Sequence, residues 1–321
     1  MKVGILGASG YTGEELINLL LNKKDVELVY ITSRRYKGKT LGEINPRFKN
    51  TRFENLKFEE VNEEKILNCD LIFSCLPHGE AKNILEKYLG KIFIIDLSQD
   101  YRKDERAIYG LTNIYDVYTK HPLKRKYDVE KLKKYKIIAN PGCYPTSIIL
   151  PLYPLLKANL IEKDFIICDS KSGTSGAGKS LKENLLFCEV NENFYCYKPK
   201  GHRHESEIKY VLNVKNLKFT PHLLPINRGI LSTIYFRSEA TLKDLIDLLK
   251  DFYRNDENVK IIDTYPQLKF VNYTNEAHIY VDYDEENKLF IVLSAIDNLI
   301  KGASGQAVEN MEILKNYLLK G

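Results

Sequence analysis

The sequence lacks the features that mark several special classes of protein. No apolar run among its 321 residues approaches the roughly 20 that a membrane-spanning helix needs. No repeat or low-complexity linker is visible, and 44% hydrophobic with 28% charged residues excludes disorder for most of the chain. Basic residues exceed acidic ones by 48 − 43 = 5 without clustering in a stripe, so nucleic acid is not an expected partner. The length predicts about two domains.

The six cysteines do not suggest a disulfide framework. Most of them, such as Cys69 and Cys168, stand inside apolar segments typical of buried strands. A strand pattern occupies Lys2–Leu6 and leaves no space for a signal peptide before it. We therefore expect free thiols and a cytoplasmic protein.

The first 140 residues alternate between strand and helix patterns. Continuous apolar runs are typical of strands buried on both faces, which occur in parallel sheets covered by helices. The pattern therefore predicts an α/β fold with a doubly wound sheet. The predicted strands are 2–6, 26–31, 70–76, 92–97 and 137–139, and the predicted helices are 14–21 and 80–89.

After about residue 143 the pattern changes to that of an α+β domain with a mainly antiparallel sheet. Thr241 is the expected N-cap of an amphipathic helix, with Asp244 at its third position. Residues 284–287 are the expected turn of a hairpin. The predicted helices are 143–156, 241–253 and 303–319, and the predicted strands are 165–168, 230–236, 278–282 and 289–295.

Glycines punctuate the turn between the first strand and the first helix, with the spacing G-x-x-G-x-x-G. They allow the backbone to approach a pyrophosphate, whose charge is stabilised by N–H groups at the helix N-terminus. A plain helix-start turn is the alternative, because the spacing differs from G-x-G-x-x-G. The expected cofactor-binding residues of this turn are Gly7, Ser9, Gly10, Tyr11, Thr12 and Gly13.

The end of the second predicted strand indicates which dinucleotide binds. An NAD site would have Asp or Glu there to bond the ribose 2′-hydroxyl, but this chain has Ser33, Arg34 and Arg35. A hydroxyl and two guanidinium groups suit a 2′-phosphate. The residues therefore favour NADP, and a solvated basic turn is the alternative.

One cysteine has an unusual setting. In Asn140-Pro141-Gly142-Cys143-Tyr144-Pro145-Thr146, a tight turn places Cys143 at the first turn of a helix. The helix macrodipole favours an anion there, and a thiolate is the form of cysteine that attacks carbonyl carbon. Cys143 is thus the candidate nucleophile, and an inert buried thiol is the alternative.

A thiolate nucleophile needs a group that handles protons. The run Gly201-His202-Arg203-His204-Glu205-Ser206-Glu207 contains two histidines and is the best candidate. One histidine would act as the acid or base, while Arg203 or a carboxylate would orient it or bind an anionic substrate. A metal site on the same side chains is the less favoured interpretation, because no second cluster at ligand spacing exists.

Residues 173–180 match the P-loop pattern G-x-x-x-x-G-K-[ST]. No clear βα series follows them to complete the sheet of a nucleotide triphosphatase. We therefore interpret this segment as a loop that closes over the cofactor or the active site.

Taken together, these segments resemble the N-acetyl-γ-glutamyl-phosphate reductase family. The run from Asn140 to Thr146 and the His-Arg-His cluster separate that family from the related aspartate-semialdehyde dehydrogenases. Alanine is commoner in the family where Ser304 stands. The resembling segments, in family order, are 7–13, 140–146, 172–179, 201–204 with Glu207, and 298–308.

The resemblance implies a two-domain NADP enzyme. Residues 1–142 with 302–321 would bind NADP(H), and residues 143–301 would form the catalytic and dimerisation domain of a homodimer or homotetramer. It implies reduction of N-acetyl-L-glutamyl 5-phosphate through a Cys143 thioester, in arginine biosynthesis. The implied acid/base is His202, with His204 and Glu207 nearby for orientation or substrate contacts. The further expected cofactor contacts are Leu76, Pro77, Gly176, Ala177 and Asn298. Arg102 and Asn140 are expected to contact the phosphate of the substrate, and a simple pair of Arg102 with Asp100 is the alternative.

Two rivals remain at this point. The same chemistry could act on aspartyl phosphate, or on a glutamyl or aminoadipyl phosphate carried on a small acidic protein. A non-catalytic NADP-binding sensor would retain the glycine turn but would have an unreactive Cys143.

Overall fold

The computed structural model describes residues 1–116 and 121–318. The chain divides into two compact units. The first is Met1–Gly110 with Asp128–Pro141 and Ala303–Gly321, and the second is Leu111–Tyr127 with Gly142–Gly302. Among the described residues, no helix combines the length and the apolarity that crossing a membrane requires.

The segment Leu111–Tyr127 differs from the expected domain boundary. The sequence prediction kept residues 1–142 in one domain, whereas the described residues of this segment pack within the second unit. Asn113 donates to Asp256 at 2.7 Å, and Arg125 donates to the backbone oxygen of Val211 at 2.6 Å. Its polar side chains carry no periodic signal, so the sequence could not show these long-range contacts.

The described residues of the first unit form a parallel sheet with the strand order β3-β2-β1-β4-β5-β7-β6. The strands are β1 Lys2–Leu6, β2 Glu27–Thr32, β3 Phe58–Glu59, β4 Leu71–Ser74, β5 Phe93–Asp96, β6 Ile108–Tyr109 and β7 Ile137–Ala139. The helices are α1 Tyr11–Leu20, α2 Leu41–Ile44, α3 Glu63–Leu67, α4 Ala81–Leu85, α5 Val129–Tyr135 and α11 Gly305–Leu318.

The central strands of this sheet are buried on both faces. All four residues of β4 are buried, and so are the last four residues of β1. This explains why both appear as continuous apolar runs in the sequence. The chain runs outward in both directions from the pair β1 and β4, so the carboxyl ends of these two strands mark the switch point where such sheets bind nucleotides.

The described residues of the second unit form a mixed sheet with the order β12-β13-β14-β11-β8-β10-β9. The strands are β8 Ile166–Ser172, β9 Tyr195–Cys196, β10 Leu217–Leu223, β11 Ile230–Phe236, β12 Val259–Ile261, β13 Ala277–Asp284 and β14 Leu289–Ile296. The helices are α6 Cys143–Lys157, α7 Phe187–Val190, α8 Arg203–Leu212, α9 Leu242–Tyr253 and α10 Leu268–Val271.

Most neighbours in the second sheet are antiparallel, while β10 with β8 and β12 with β13 are parallel. The predicted α/β class with a doubly wound sheet and a mainly antiparallel second sheet is therefore confirmed. The capping box of α9 is also as predicted, since Thr241 accepts the N–H of Asp244 at 3.2 Å.

The last helix differs from the prediction. It was expected over residues 303–319, but an α-helical conformation begins only at Gly305, after a π-helical turn at Ile300–Ser304. Residue 319 lies outside the described residues.

Candidate active site

The glycine turn of the first unit closes against the loop that follows β4. Gly7 has a left-handed backbone with φ +77°, and a Cβ there would lie 2.7 Å from the backbone oxygen of Cys75. A Cβ on Gly13 would lie 2.6 Å from the backbone oxygen of Ala8. Both positions therefore require glycine. Gly10 caps α1, and the exposed Tyr11 begins that helix.

The predicted residues at the end of β2 lie beside this turn. Gly7 donates its N–H to the Thr32 hydroxyl at 3.0 Å, and the hydroxyls of Ser9 and Ser33 are 2.8 Å apart. Arg34 is exposed and pairs with Glu80 at 2.5 Å. The turn, the hydroxyl pair and an exposed guanidinium fit a dinucleotide that carries a 2′-phosphate.

The other predicted cofactor residues are divided between the units. Leu76 and Pro77 follow β4 in the first unit, directly after the Cys75 backbone that Gly7 approaches. Gly176 and Ala177 end a short 3₁₀ turn, Thr174–Ala177, in the second unit. Asn298 belongs to that same cluster, because it donates to the Ser175 hydroxyl at 2.9 Å.

The segment that matched a P-loop has a different structure. A P-loop places its phosphate at the N-terminus of a helix. Here the strand β8 leads into the four-residue 3₁₀ turn, and residues 178–182 form no helix. The geometry therefore does not support triphosphate binding by this segment.

Arg102 and Asn140, the predicted substrate contacts of the first unit, are both buried. Arg102 donates to the backbone oxygens of Asn140 and Leu97, each at 2.9 Å. The Asn140 amide donates to the backbone oxygen of Ala303 at 3.0 Å and accepts from Asn310 at 3.1 Å. These bonds hold backbone segments of the first unit together.

Cys143 is the first residue of α6, as the sequence predicts. Gly142 is the N-cap, and its backbone oxygen accepts both the N–H and the hydroxyl of Thr146 at 2.9 Å. Pro145 stands in the first turn, where its missing N–H leaves no helical bond unmade. The Cys143 side chain is half-buried at the N-terminal end of a 15-residue helix, which is where an anion is stabilised.

Glu207 connects the histidine helix to this N-terminus. It lies on α8, is 3% exposed, and accepts the Gly142 N–H at 2.9 Å. The sequence suggested that Glu207 orients the site or contacts substrate. The observed bond shows that one of its oxygens holds the residue immediately before Cys143, and the substrate contact stays a prediction.

His202 is the N-cap of α8, and its Nδ1 accepts the backbone N–H of His204 at 3.2 Å. Because Nδ1 is an acceptor, the neutral ring carries its proton on Nε2. Burial, followed by the positive charges of Arg203 and Lys198, lowers the pKa of His202 to about 4. The ring is therefore uncharged at pH 7.

Aromatic rings surround His202. The rings of Tyr144, Tyr197 and Phe219 lie with their centroids 6.0, 5.7 and 5.3 Å from it, and His204 lies at 5.0 Å. The Tyr197 hydroxyl donates to that of Tyr144 at 3.2 Å. The sequence analysis missed Tyr197 and Phe219, because neither belongs to a motif with fixed spacing.

Three other thiols, which are buried or half-buried, are less suited to nucleophilic attack. Burial raises the pKa of Cys69 to about 11 and that of Cys75 to about 12, and it also raises the pKa of Cys168. These side chains are therefore protonated at pH 7, which removes their nucleophilicity. Within the described ranges, His, Cys, Asp and Glu side chains form no group of three or more that could hold a metal ion.

Comparisons with known proteins agree with this architecture. A family model for the semialdehyde dehydrogenase NAD binding domain matches residues 2–121, and one for the semialdehyde dehydrogenase dimerisation domain matches residues 143–298. An aspartate semialdehyde dehydrogenase with NADP from Candida albicans has a similar fold, with a TM-score of 0.75, 17% identity and 98% coverage of both chains. The chain is thus an oxidoreductase of the semialdehyde dehydrogenase class.

Curated relatives narrow the class further. The N-acetyl-gamma-glutamyl-phosphate reductase of Caldicellulosiruptor saccharolyticus is 44% identical, over 98% of this chain and 95% of that protein. The protein of the same name from Clostridium botulinum is 43% identical, over 99% and 96%. The chain belongs to the N-acetyl-gamma-glutamyl-phosphate reductase family, which confirms the resemblance found in the sequence.

Proposed function

We propose that this protein reduces N-acetyl-L-glutamyl 5-phosphate to N-acetyl-L-glutamate 5-semialdehyde with NADPH and releases phosphate, as a cytoplasmic step of arginine biosynthesis. The observation that carries the proposal is Cys143 at the start of α6 in a chain that matches reductases of this name along its length. In this proposal the first unit binds the cofactor, and the second supplies the nucleophile.

The cofactor would bind at the carboxyl ends of β1 and β4. The Gly7 and Gly13 positions allow close backbone approach to a pyrophosphate, and the N-terminus of α1 favours its charge. Ser33 and Arg34 would meet the 2′-phosphate. When bound, NADPH supplies a hydride equivalent.

In the first half-reaction, the Cys143 sulfur attacks the acyl carbon. A C–S bond forms, the C–O bond to phosphate breaks, and phosphate leaves with the electron pair and, in net terms, with the thiol proton. Backbone N–H groups at the N-terminus of α6 would stabilise the oxyanion of the tetrahedral intermediate. Glu207 keeps that end of the helix in place through Gly142.

In the second half-reaction, the carbonyl carbon of the thioester takes up a hydride equivalent, which is two electrons and one hydrogen. The resulting thiohemiacetal anion breaks its C–S bond and gives the aldehyde and the Cys143 thiolate. One proton from water restores the thiol. We assign proton transfer to His202, because its ring is neutral at pH 7, which is the form that can take up a proton and pass it on, and because it lies at the start of the helix that Glu207 joins to Gly142. His204 supports this assignment by fixing the His202 ring through its backbone N–H.

The charges around His202 favour an anionic substrate. Lys198 and Arg203 are exposed, and both positive charges act on the His202 ring. The proposed substrate carries a carboxylate and a phosphoryl group, and cations recognise both. We propose that Lys198 and Arg203 attract the substrate to the site.

We also propose that the protein forms a homodimer or homotetramer through the second sheet. Side chains on one face of β11 are buried, and those that alternate with them are half-buried. Tyr235 lies on this half-buried face, directly between its neighbours Ile167 and Ile291. An apolar row of this kind on a half-buried sheet face is suited to a second copy of the same surface.

The activity can be tested in the reverse direction. NADP⁺ reduction should require phosphate together with N-acetylglutamate 5-semialdehyde, and aspartate semialdehyde or a carrier-linked semialdehyde should react poorly. If NADP⁺ were reduced faster with aspartate semialdehyde or a carrier-linked semialdehyde than with N-acetylglutamate 5-semialdehyde, the faster compound would take the place of the proposed substrate.

Covalent catalysis by Cys143 is tested by comparing two serine variants. Cys143→Ser should lose NADPH oxidation and retain NADPH binding, and Cys196→Ser, at an exposed thiol, should behave as the wild type. Substantial turnover by Cys143→Ser would remove the thioester. A wild-type protein that binds NADPH but turns over none of the substrates would instead be a sensor.

A further inference from the structure

A π-helical turn occupies Ile300–Ser304. Gly302 donates its N–H to the backbone oxygen of Asp297, five residues earlier, at 2.9 Å. The buried Asp297 carboxylate accepts the N–H groups of Leu299 and Ile300 at 2.8 and 3.0 Å. Such turns are rare and are frequently found at functional sites.

The turn packs directly on the proposed nucleophile. A Cβ on Gly302 would lie 2.8 Å from the Cβ of Cys143 and 3.1 Å from its Cα. Gly302 is not among the glycines with a positive φ, so glycine is needed here for space rather than for backbone conformation. The backbone of the turn is therefore in close contact with Cys143, the first residue of α6.

A buried positive charge holds the π-helical turn in place. Lys301, the neighbour of Gly302, is 0% exposed, and its ammonium donates to Asn113 Oδ1 at 2.9 Å. Asn113 in turn donates to a carboxylate oxygen of Asp256 at 2.7 Å. Burying an ammonium is costly unless hydrogen bonds compensate for the lost water. A methionine would fill similar space without the free-energy cost of burying an ammonium, which indicates that the charge of Lys301 has a functional role.

We infer that Lys301 is a positioning residue for Cys143. Its bond to Asn113 fixes the π-helical turn, and the turn fixes Cys143 through the contact with Gly302. The position of a nucleophile has a steep effect on rate, since a shift of about 1 Å can cost on the order of a hundredfold. The inference rests on the proposed function, because it takes Cys143 as the nucleophile.

The test is Lys301→Met in the full-length protein. We expect kcat to fall at least about tenfold while KM stays within about twofold, because the substrate contacts are unchanged. The pH midpoint of Cys143 alkylation by iodoacetamide should move upward, because the sulfur leaves its place at the helix N-terminus. A wild-type kcat together with a wild-type alkylation profile overturns the inference.

Lys124→Met is the matched control. Lys124 also lies in the segment Leu111–Tyr127, and its ammonium packs over the Phe252 ring at 5.1 Å. This variant loses the same charged group, but it leaves the turn untouched and should keep both readouts. If kcat and the alkylation midpoint changed equally in the two variants, the change would be a general result of removing a positive charge, and the inference would be overturned.

Gly302→Ala keeps the inference testable if Lys301→Met does not fold. It changes the same contact between the turn and Cys143 without changing any charge, so it should slow the alkylation of Cys143 and lower kcat. Wild-type values of both would overturn the inference.

Cys143→Ser separates the proposed function from the inference about Lys301. If that variant remains active, the proposed function fails, whereas an inactive Cys143→Ser with a fully active Lys301→Met overturns only the inference about Lys301.

Discussion

The Glu207 carboxylate accepts the backbone N–H of Gly142 at 2.9 Å, which joins the histidine helix to the N-cap of the nucleophile helix. Glu207→Leu should therefore lower both kcat and the free energy of unfolding, the latter by about 2 kcal/mol, since it leaves a buried N–H without a partner. Glu207→Gln keeps an acceptor and should lose less of both. Urea unfolding and steady-state kinetics measure the two effects.

Glu205 provides the control on the same helix. It is bound to Lys209 and Lys218 near the surface, so Glu205→Gln should change stability by less than about 1 kcal/mol. If Glu207→Leu raised KM alone and left kcat unchanged, Glu207 would be a substrate contact, which is one of the two roles that the sequence suggested, rather than a support for the helix.

The lowered pKa of His202 predicts a pH dependence of stability. Between its ordinary value of 6.5 and the folded value of about 4, the unfolded chain binds a proton that the folded protein does not. This contribution to stability is present above pH 6.5 and is lost as the pH falls toward 4, by up to about 3 kcal/mol. His202→Gln should lack that part of the loss when urea unfolding is compared at pH 7 and pH 5.

The same residue limits the pH profile of activity. If His202 transfers protons as a neutral ring, kcat should fall with an acidic midpoint closer to 4 than to 6.5. An acidic limb centred near pH 6.5 that disappears in His202→Gln would contradict the lowered pKa.

Selection of the cofactor should depend on Arg34. Its guanidinium is exposed and pairs with Glu80, and the residue before it, Ser33, has its hydroxyl 2.8 Å from that of Ser9. Arg34→Ala should weaken NADPH binding by about tenfold, the usual scale for one charge-assisted contact, and should leave NADH binding nearly unchanged. Fluorescence titration with both dinucleotides measures the ratio, and an equal loss for both would place Arg34 outside the 2′-phosphate site.

Assembly should depend on the half-buried face of the second sheet. Tyr235→Lys places a charge in the row formed with Ile167 and Ile291, which a second copy could not cover without burying it. We expect the mass measured by light scattering to fall to that of a smaller species. Lys243→Ala, at an exposed position on α9, is the control, and an unchanged mass in Tyr235→Lys would move the interface elsewhere.

The fold was largely predictable because its signals are local. The strand at Ile137–Ala139 and the strand at Ile230–Phe236 have the predicted bounds, since apolar runs and strict alternation are direct consequences of burial. The strand β10 was missed because Pro221 and His222 interrupt its pattern. The π-helical turn was missed as well, because it depends on Asp297 bonding rather than on residue periodicity.

The candidate site was only partly predictable. The position of Cys143 at a helix start follows from the preceding Pro-Gly turn, which is local. The bond between Glu207 and Gly142 joins residues 65 positions apart, and no spacing rule could reveal it. The protonated nitrogen of His202 depends on a single backbone N–H, and that also requires coordinates.

The order of the segments along the chain has a consequence for how the protein is made. The helix α11 completes the first unit, where the Ser304 hydroxyl bonds the backbone oxygen of Thr12 at 2.8 Å and Asn310 bonds that of Gly110, also at 2.8 Å. These residues follow the whole second unit. During synthesis, the sheet that begins at Lys2 therefore lacks its last helix until about 160 further residues have been added to the chain. At the usual rate of elongation this interval is on the order of ten seconds or more. The side of α1 that packs against α11 in the finished fold is exposed to solvent during that interval.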